Sequence, residues 1–216
     1  MKWTSGNTLL CRRDQLLIQT LAAKLRLMSL QQIANTFFGG QIANASRRLK
    51  TLEHGRYMLR HRTVVRHLPA PQEPLVVWTP GQDTPQFTKT VYMLGRRWVG
   101  RPTRLTSLYL VGPRASAALG LKPHQRLPHV LQASHDLGLA ATYLHFLENR
   151  PELAMHWVGE NSMNTNPREG QVPDAIIANT DQTLSMAIEF GGQYTAKRLH
   201  RFHNHCKKRR LTYELW

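Results

Sequence analysis

The chain has 216 residues, enough for one large domain or two small ones, and 29 Lys and Arg against 13 Asp and Glu give a formal net charge of +16. A surface of that sign selects a polyanionic partner. Hydrophobic residues at 41% and five scattered Trp exclude a disordered basic tail and require a core. No apolar stretch approaches the roughly 20 residues of a membrane span. Met1 to Gly6 lacks a signal-peptide core, so a cytoplasmic protein with no membrane partner is expected. Cys11 and Cys206 supply neither a disulfide framework nor a cysteine metal cage and read as thiols.

The charge is uneven. Residues 1–70 hold 12 Lys and Arg and 2 acids, residues 71–128 hold 8 and 2, and residues 129–216 hold 9 and 9. The excess belongs to the first 128 residues, so carboxylate chemistry is to be sought in the last third. Proline-rich punctuation at 69–74 and 121–128 closes successive segments. The expected domains are 1–120 and 125–216.

From Leu16, the residues Leu17, Leu21, Leu25 and Met28 recur on one helical face. Ser29 is the N-cap expected for a second, short helix carrying Leu30, Ile33, Ala34 and Phe37, which Gly39-Gly40 breaks. A third helix is predicted over Gln41 to Glu53, burying Ile42, Ala45, Leu49 and Leu52 and capped at Gly55. Its other face presents Gln41, Asn44, Arg47, Arg48 and Thr51, side chains that hydrogen-bond base edges or phosphates when a helix enters the major groove. Arg56 to His67 alternates as a basic hairpin, with Arg60 and Arg62 as further DNA-contact candidates. Three helices and a basic wing make a winged helix-turn-helix; the plain alternative is a small bundle with a solvated basic face.

The middle segment shows two strand-like runs, 75–78 and 105–111, and a helix start at Pro113. It reads as an extension of the N-terminal domain. Trp98, among Arg96, Arg97, Arg101 and Arg104, suits either base stacking or the core.

The last third changes rhythm. A helix over His129 to Glu148, with Leu137, Ala141, Leu144 and Leu147 on one side, precedes strands at 153–160, 172–178 and 184–190 and a basic helix from Gln193 to Arg210. Alternation of Leu184, Met186 and Ile188 puts Glu189 on the opposite strand face. A tight turn at 179–182 would then bring Asp174 to the same edge, where two carboxylates can hold a divalent cation.

Pro173-Asp174, then Ile188-Glu189 starting fourteen residues after Asp174, then a basic helix, resemble the PD-(D/E)xK nuclease core. With the N-terminal pattern, His135-Asp136-Leu137 and the run Trp157-Val158-Gly159-Glu160, the chain resembles the replication-relaxation family, itself similar to MobC-type relaxases of mobilisable plasmids. The resemblance implies an α+β protein, a winged helix-turn-helix followed by a restriction-endonuclease-like α/β domain. It further implies Mg²⁺ or Mn²⁺ held by Asp174 and Glu189. Glu160, at the end of a predicted strand, is favoured as a third carboxylate over Asp136 and Glu148. The lysine expected two residues after the glutamate is Gly191 here. Lys197 is one substitute for its positive charge and Gln193 a second.

Along the last helix Arg198 and Arg201, with Lys197 and the run 207–210, can follow a DNA backbone. His200, His203, His205 and Cys206 do not form a recognised zinc ligand set. The first expectation is a sequence-specific, metal-dependent nicking protein of a plasmid or mobile element. It would act on an origin or operator in double-stranded DNA, alongside other mobilisation or replication proteins and as a homodimer. The alternative is a non-catalytic initiator or transcriptional regulator with a degenerate nuclease fold; a basic RNA- or ribosome-associated protein ranks third.

Overall fold

A computed structural model describes residues 9–121, 130–163, 172–178 and 184–216. All but the first residue of the expected boundary at 121–128, the turn at 179–182 and most of the loop at 161–171 lie outside them. The fold is mixed α/β and separates into two compact units, each assembled from two stretches of chain. Unit 1 comprises residues 1–65 and 103–137, and unit 2 comprises residues 66–102 and 138–216. The division therefore differs from the expected 1–120 and 125–216.

In unit 1, α1 (Arg12–Gln19) starts at Cys11, whose backbone N–H donates to Asp14 Oδ2 at 2.9 Å. It passes into one π-helical turn, Thr20–Lys24, and stops at Leu25, which is extended. Met28 therefore belongs to a short strand, β1 (Met28–Ser29), and not to the first helix as expected. Ser29 caps α2 (Leu30–Phe37), and its side chain and that of Gln32 bond reciprocally to each other's backbone N–H. Gly39 and Gly40 take φ of 58° and 80°, a left-handed pair that reverses the chain into α3 (Ile42–His54). Ala45, Leu49 and Leu52 are buried as expected, whereas Ile42 lies on the exposed side.

The run after α3 forms a single strand, β2 (Met58–Arg66), and not a hairpin within 56–67. Its partner is β4 (Thr103–Val111), which lies between β1 and β2 in a three-stranded sheet. Leu27, Val65, Leu108, Leu110 and Ala133 form the core beneath it. Gly112 follows β4, and its N–H donates to Tyr57 O at 2.8 Å. A Cβ there would lie 2.4 Å from the Arg56 carbonyl oxygen, so only glycine lets β4 turn into α5 (Pro113–Ala118).

The stretch inserted between β2 and β4 belongs to unit 2, correcting its reading as an extension of the N-terminal domain. It contributes β3 (Val76–Trp78) and α4 (Phe87–Trp98). A long helix, α6 (Val130–Asn149), then leads to a short helix, α7 (Pro151–Ala154), and to β5 (Trp157–Gly159). The strand expected from 153 is thus only three residues long. On α6, Ala133, Ser134, Asp136, Ala140, Thr142, Tyr143 and Phe146 are buried, whereas Leu147 is exposed and Leu137, Ala141 and Leu144 are half-buried, so the expected face is not the most buried one.

Strands β6 (Ala175–Ala178) and β7 (Leu184–Glu189), helix α8 (Ala196–Lys208) and strand β8 (Thr212–Leu215) complete the unit. The sheet order is β3-β8-β7-β6-β5, with β7 and β8 parallel and the other neighbours antiparallel. Trp78, Ala187, Phe202, Cys206, Leu211 and Tyr213 fill the space under α8. Phe87, Leu94, Leu199 and Leu215 join α4 to the same layer. Trp98 is core, with its ring N–H donating to Gly191 O at 3.3 Å.

Candidate functional site

Two groups of residues carry chemistry, one in each unit. In unit 1, Gln41, Asn44, Arg47, Arg48 and Thr51 line one cavity of about 560 Å³. Arg13, Phe37 and Phe38 close it from α1 and the end of α2, with the Arg13 guanidinium 4.0 Å from the Phe38 ring centroid. The five residues expected on one helix face are therefore brought together at a concave, cation-lined surface. Gln41, Asn44, Arg47 and Thr51 are exposed, and the Asn44 amide donates to Gln41 Oε1.

Arg48 differs from the others. Its Nη2 donates to Asp14 Oδ2 at 2.5 Å and to Leu9 O at 2.7 Å, and its Nε lies 3.1 Å from Asp14 Oδ1. Asp14 is 1% exposed, so this bidentate pair fastens α3 to α1. Arg48, expected as a DNA contact, here forms a strut between the two helices while still lining the cavity. On β2, Arg60 lies 3.6 Å from Glu53 Oε1, and Arg62 is exposed.

In unit 2 the strand register places three carboxylate residues in sequence across the sheet. Gly159 pairs with Ala175, and Ala175 pairs with Ile188. Glu160, Asp174 and Glu189 are the next residues along their chains at that end. Glu160 is exposed at the start of a 3₁₀ turn, and its N–H donates to Asp174 O at 3.2 Å. Asp174 Oδ2 accepts the Phe190 N–H at 2.8 Å.

Glu189 is 1% exposed. Its Oε1 accepts the Tyr194 hydroxyl at 2.7 Å and lies 3.9 Å from Arg198 Nη2, which also donates to Tyr194 Oη at 3.0 Å. The Arg198 guanidinium stacks 3.8 Å from the Tyr194 ring centroid. Burial, then the Glu189 and Asp174 carboxylates, push the Tyr194 phenol well above its usual 10.0, so it stays protonated as a donor.

The side chains at the carboxylate are Tyr194, which the sequence pattern does not single out, and Arg198, each one residue after the expected Gln193 and Lys197. Gln193 and Lys197 are exposed, while Tyr194 and Arg198 occupy the carboxylate. The i, i+4 spacing of Tyr194 and Arg198 was the available signal. Among the described residues, no three His, Cys, Asp or Glu side chains converge closely enough to hold a metal ion. Asp174 Oδ2 and Glu189 Oε1 each accept a hydrogen bond from the protein, so a divalent cation held there, as the resemblance implies, would share these carboxylates with those donors or displace them.

No family model, curated protein or solved structure matches the chain. No helix among the described residues is long and apolar enough to cross a membrane.

Proposed function

We propose that the protein binds a specific site in double-stranded DNA through unit 1, acting as a winged helix-turn-helix with α3 as the recognition helix and β2 and β4 as the wing. The observation that carries this reading is the cavity along α3 lined by Gln41, Asn44, Arg47 and Thr51. Amide side chains and a guanidinium on one helix face suit base-edge and phosphate recognition. Charge supports it, because unit 1 contains 15 Lys and Arg and 3 acids.

In this reading unit 2 is a nuclease-like domain retained as a non-catalytic scaffold, in the manner of an initiator or regulator. The support is that Glu189 is buried and engaged by Tyr194 and Arg198. A site selected from a random duplex library provides the test. Arg47→Ala or Asn44→Ala should weaken binding to that site by about 1–3 kcal/mol and relax the preference at one position. Unchanged affinity and preference in both variants would refute the assignment of α3.

A second reading keeps the enzyme of the replication-relaxation resemblance, nicking DNA with Mg²⁺ or Mn²⁺. The sequence of Glu160, Asp174 and Glu189 across three adjacent strands favours it. It requires the cation to share Glu189 with the Tyr194 hydroxyl or to displace that donor. Supercoiled plasmid carrying the selected site should stay intact with either cation under the first reading. A nicked product that disappears in Asp174→Ala and Glu189→Ala would establish the second.

A further inference from the structure

We propose that the outer surface of α4 and α8 binds single-stranded DNA, with Tyr92 as a stacking platform for an unpaired base and the cations around it holding phosphates. The inference rests on unit 2 residues alone, outside the proposed duplex interface. Burial of Phe87, Thr90, Leu94 and Trp98 turns Lys89, Tyr92 and Arg96 outward from α4. Burial of Leu199, Phe202, His203 and Cys206 likewise turns Lys197, Arg201 and Lys208 outward from α8. The two helices pack on each other through Phe87, Leu94 and Leu199, and the Phe87 and His200 rings meet edge to face at 4.8 Å.

Neither helix contains an acid, so their joint surface is cationic along its length. Unit 2 as a whole is far less one-sided, with 14 Lys and Arg and 10 acids, which makes this concentration a feature of the face. Tyr92 is 65% exposed, and the Arg96 guanidinium lies 5.9 Å from its ring centroid. A large ring left in solvent between cations matches the pattern by which single strands are held, with phosphates on the charges and bases on the rings. A base inside a duplex already has neighbours on both faces, so this ring gains contact only from an unpaired one. That argument selects a single strand over a duplex.

Fluorescence anisotropy of the full chain with a labelled oligothymidine of about 16 nucleotides provides the test. Tyr92→Ala should weaken binding about tenfold. Lys197→Glu with Arg201→Glu should weaken it and flatten its salt dependence. Tyr92→Ala should keep the wild-type circular dichroism and duplex affinity, because its side chain is exposed and lies outside unit 1, and the charge-reversal pair should keep the wild-type circular dichroism. Arg47→Ala, which tests the duplex reading, should leave oligothymidine binding unchanged, so the two proposals fail separately. On the wild type, a strand of equal length lacking bases should bind as weakly as oligothymidine binds Tyr92→Ala. Equal binding of the abasic strand, an unaffected Tyr92→Ala variant, or tighter binding of oligouridine RNA would each overturn the proposal.

Discussion

At the scale of single residues, the decisive side chain in unit 1 is one that does not face solvent. Asp14 is 1% exposed and its charge is met by Arg48 and the Cys11 N–H. Arg48→Ala should strand that carboxylate and cost about 3 kcal/mol in denaturant unfolding. Arg48→Lys should recover only part of the loss, because an ammonium cannot reproduce the fork. The double variant with Asp14→Ala should lose less than the two single variants combined. Burial pushes the Asp14 carboxyl up, but hydrogen bonds from Arg48 and Cys11 outweigh it and hold the group below its usual 3.8. A carboxyl depressed in the folded state stabilises above its unfolded value and loses that contribution as pH falls through the folded one. The wild-type margin over Asp14→Ala should therefore be full above pH 3.8 and shrink below it. None of this was legible in the sequence, where Arg48 is one more cation on a polar helix face. A pair 34 residues apart leaves no local pattern.

At the scale of elements, the legible features were those written in short-range chemistry. Ser29 as a cap, the two-glycine turn and Pro113 at a helix start each depend on residues within one turn and stand where they were expected. The end of α3 shows how narrowly such reading can miss. The sequence predicts Gly55 as the capping glycine, yet its φ is −73°, and Arg56 is the left-handed residue at φ 61°. The Tyr57 N–H reaches Leu52 O at 2.9 Å and the Arg56 N–H reaches Glu53 O at 2.8 Å, a Schellman closure with arginine where glycine is favoured. Arg56→Gly should raise stability by up to about 1 kcal/mol, offset in part by the freedom of glycine in the unfolded chain. Gly55→Ala should be neutral or slightly stabilising, because its backbone is already right-handed. Thermal midpoints measure both, and a large loss in Gly55→Ala would reverse the assignment. Elements defined by distant partners were read less well. Strand β8, hidden in Leu211 to Trp216 behind a basic run, pairs with β7 and β3, and nothing local signals that sheet.

At the scale of the whole molecule, the chain enters unit 2 twice, and this determines which fragments can fold. The 125–216 segment expected to be a domain lacks Trp78, Phe87, Leu94 and Trp98, all at 3% exposure or less within the unit 2 core. It also lacks β3, which closes the sheet beside β8. Such a fragment should expose the apolar side of α8 and strand β8 and fail to unfold cooperatively. Unit 1 should behave in the opposite way. The His67 N–H donates to Pro102 O at 3.0 Å, so the two ends of the inserted stretch lie side by side where β2 leaves and β4 returns. Replacing 68–101 by an Asn-Gly turn should close the wing as an ordinary hairpin. A chain ending at Leu137 with that replacement retains the Leu27, Val65, Leu108, Leu110 and Ala133 core and every lining residue along α3. It should unfold in one cooperative transition and show the duplex preference proposed for the full protein, without the proposed binding to oligothymidine. Circular dichroism melting and anisotropy with the two DNA forms read these outcomes together. Loss of the duplex preference in a cooperatively folded fragment would show that unit 1 alone is not the duplex-binding unit.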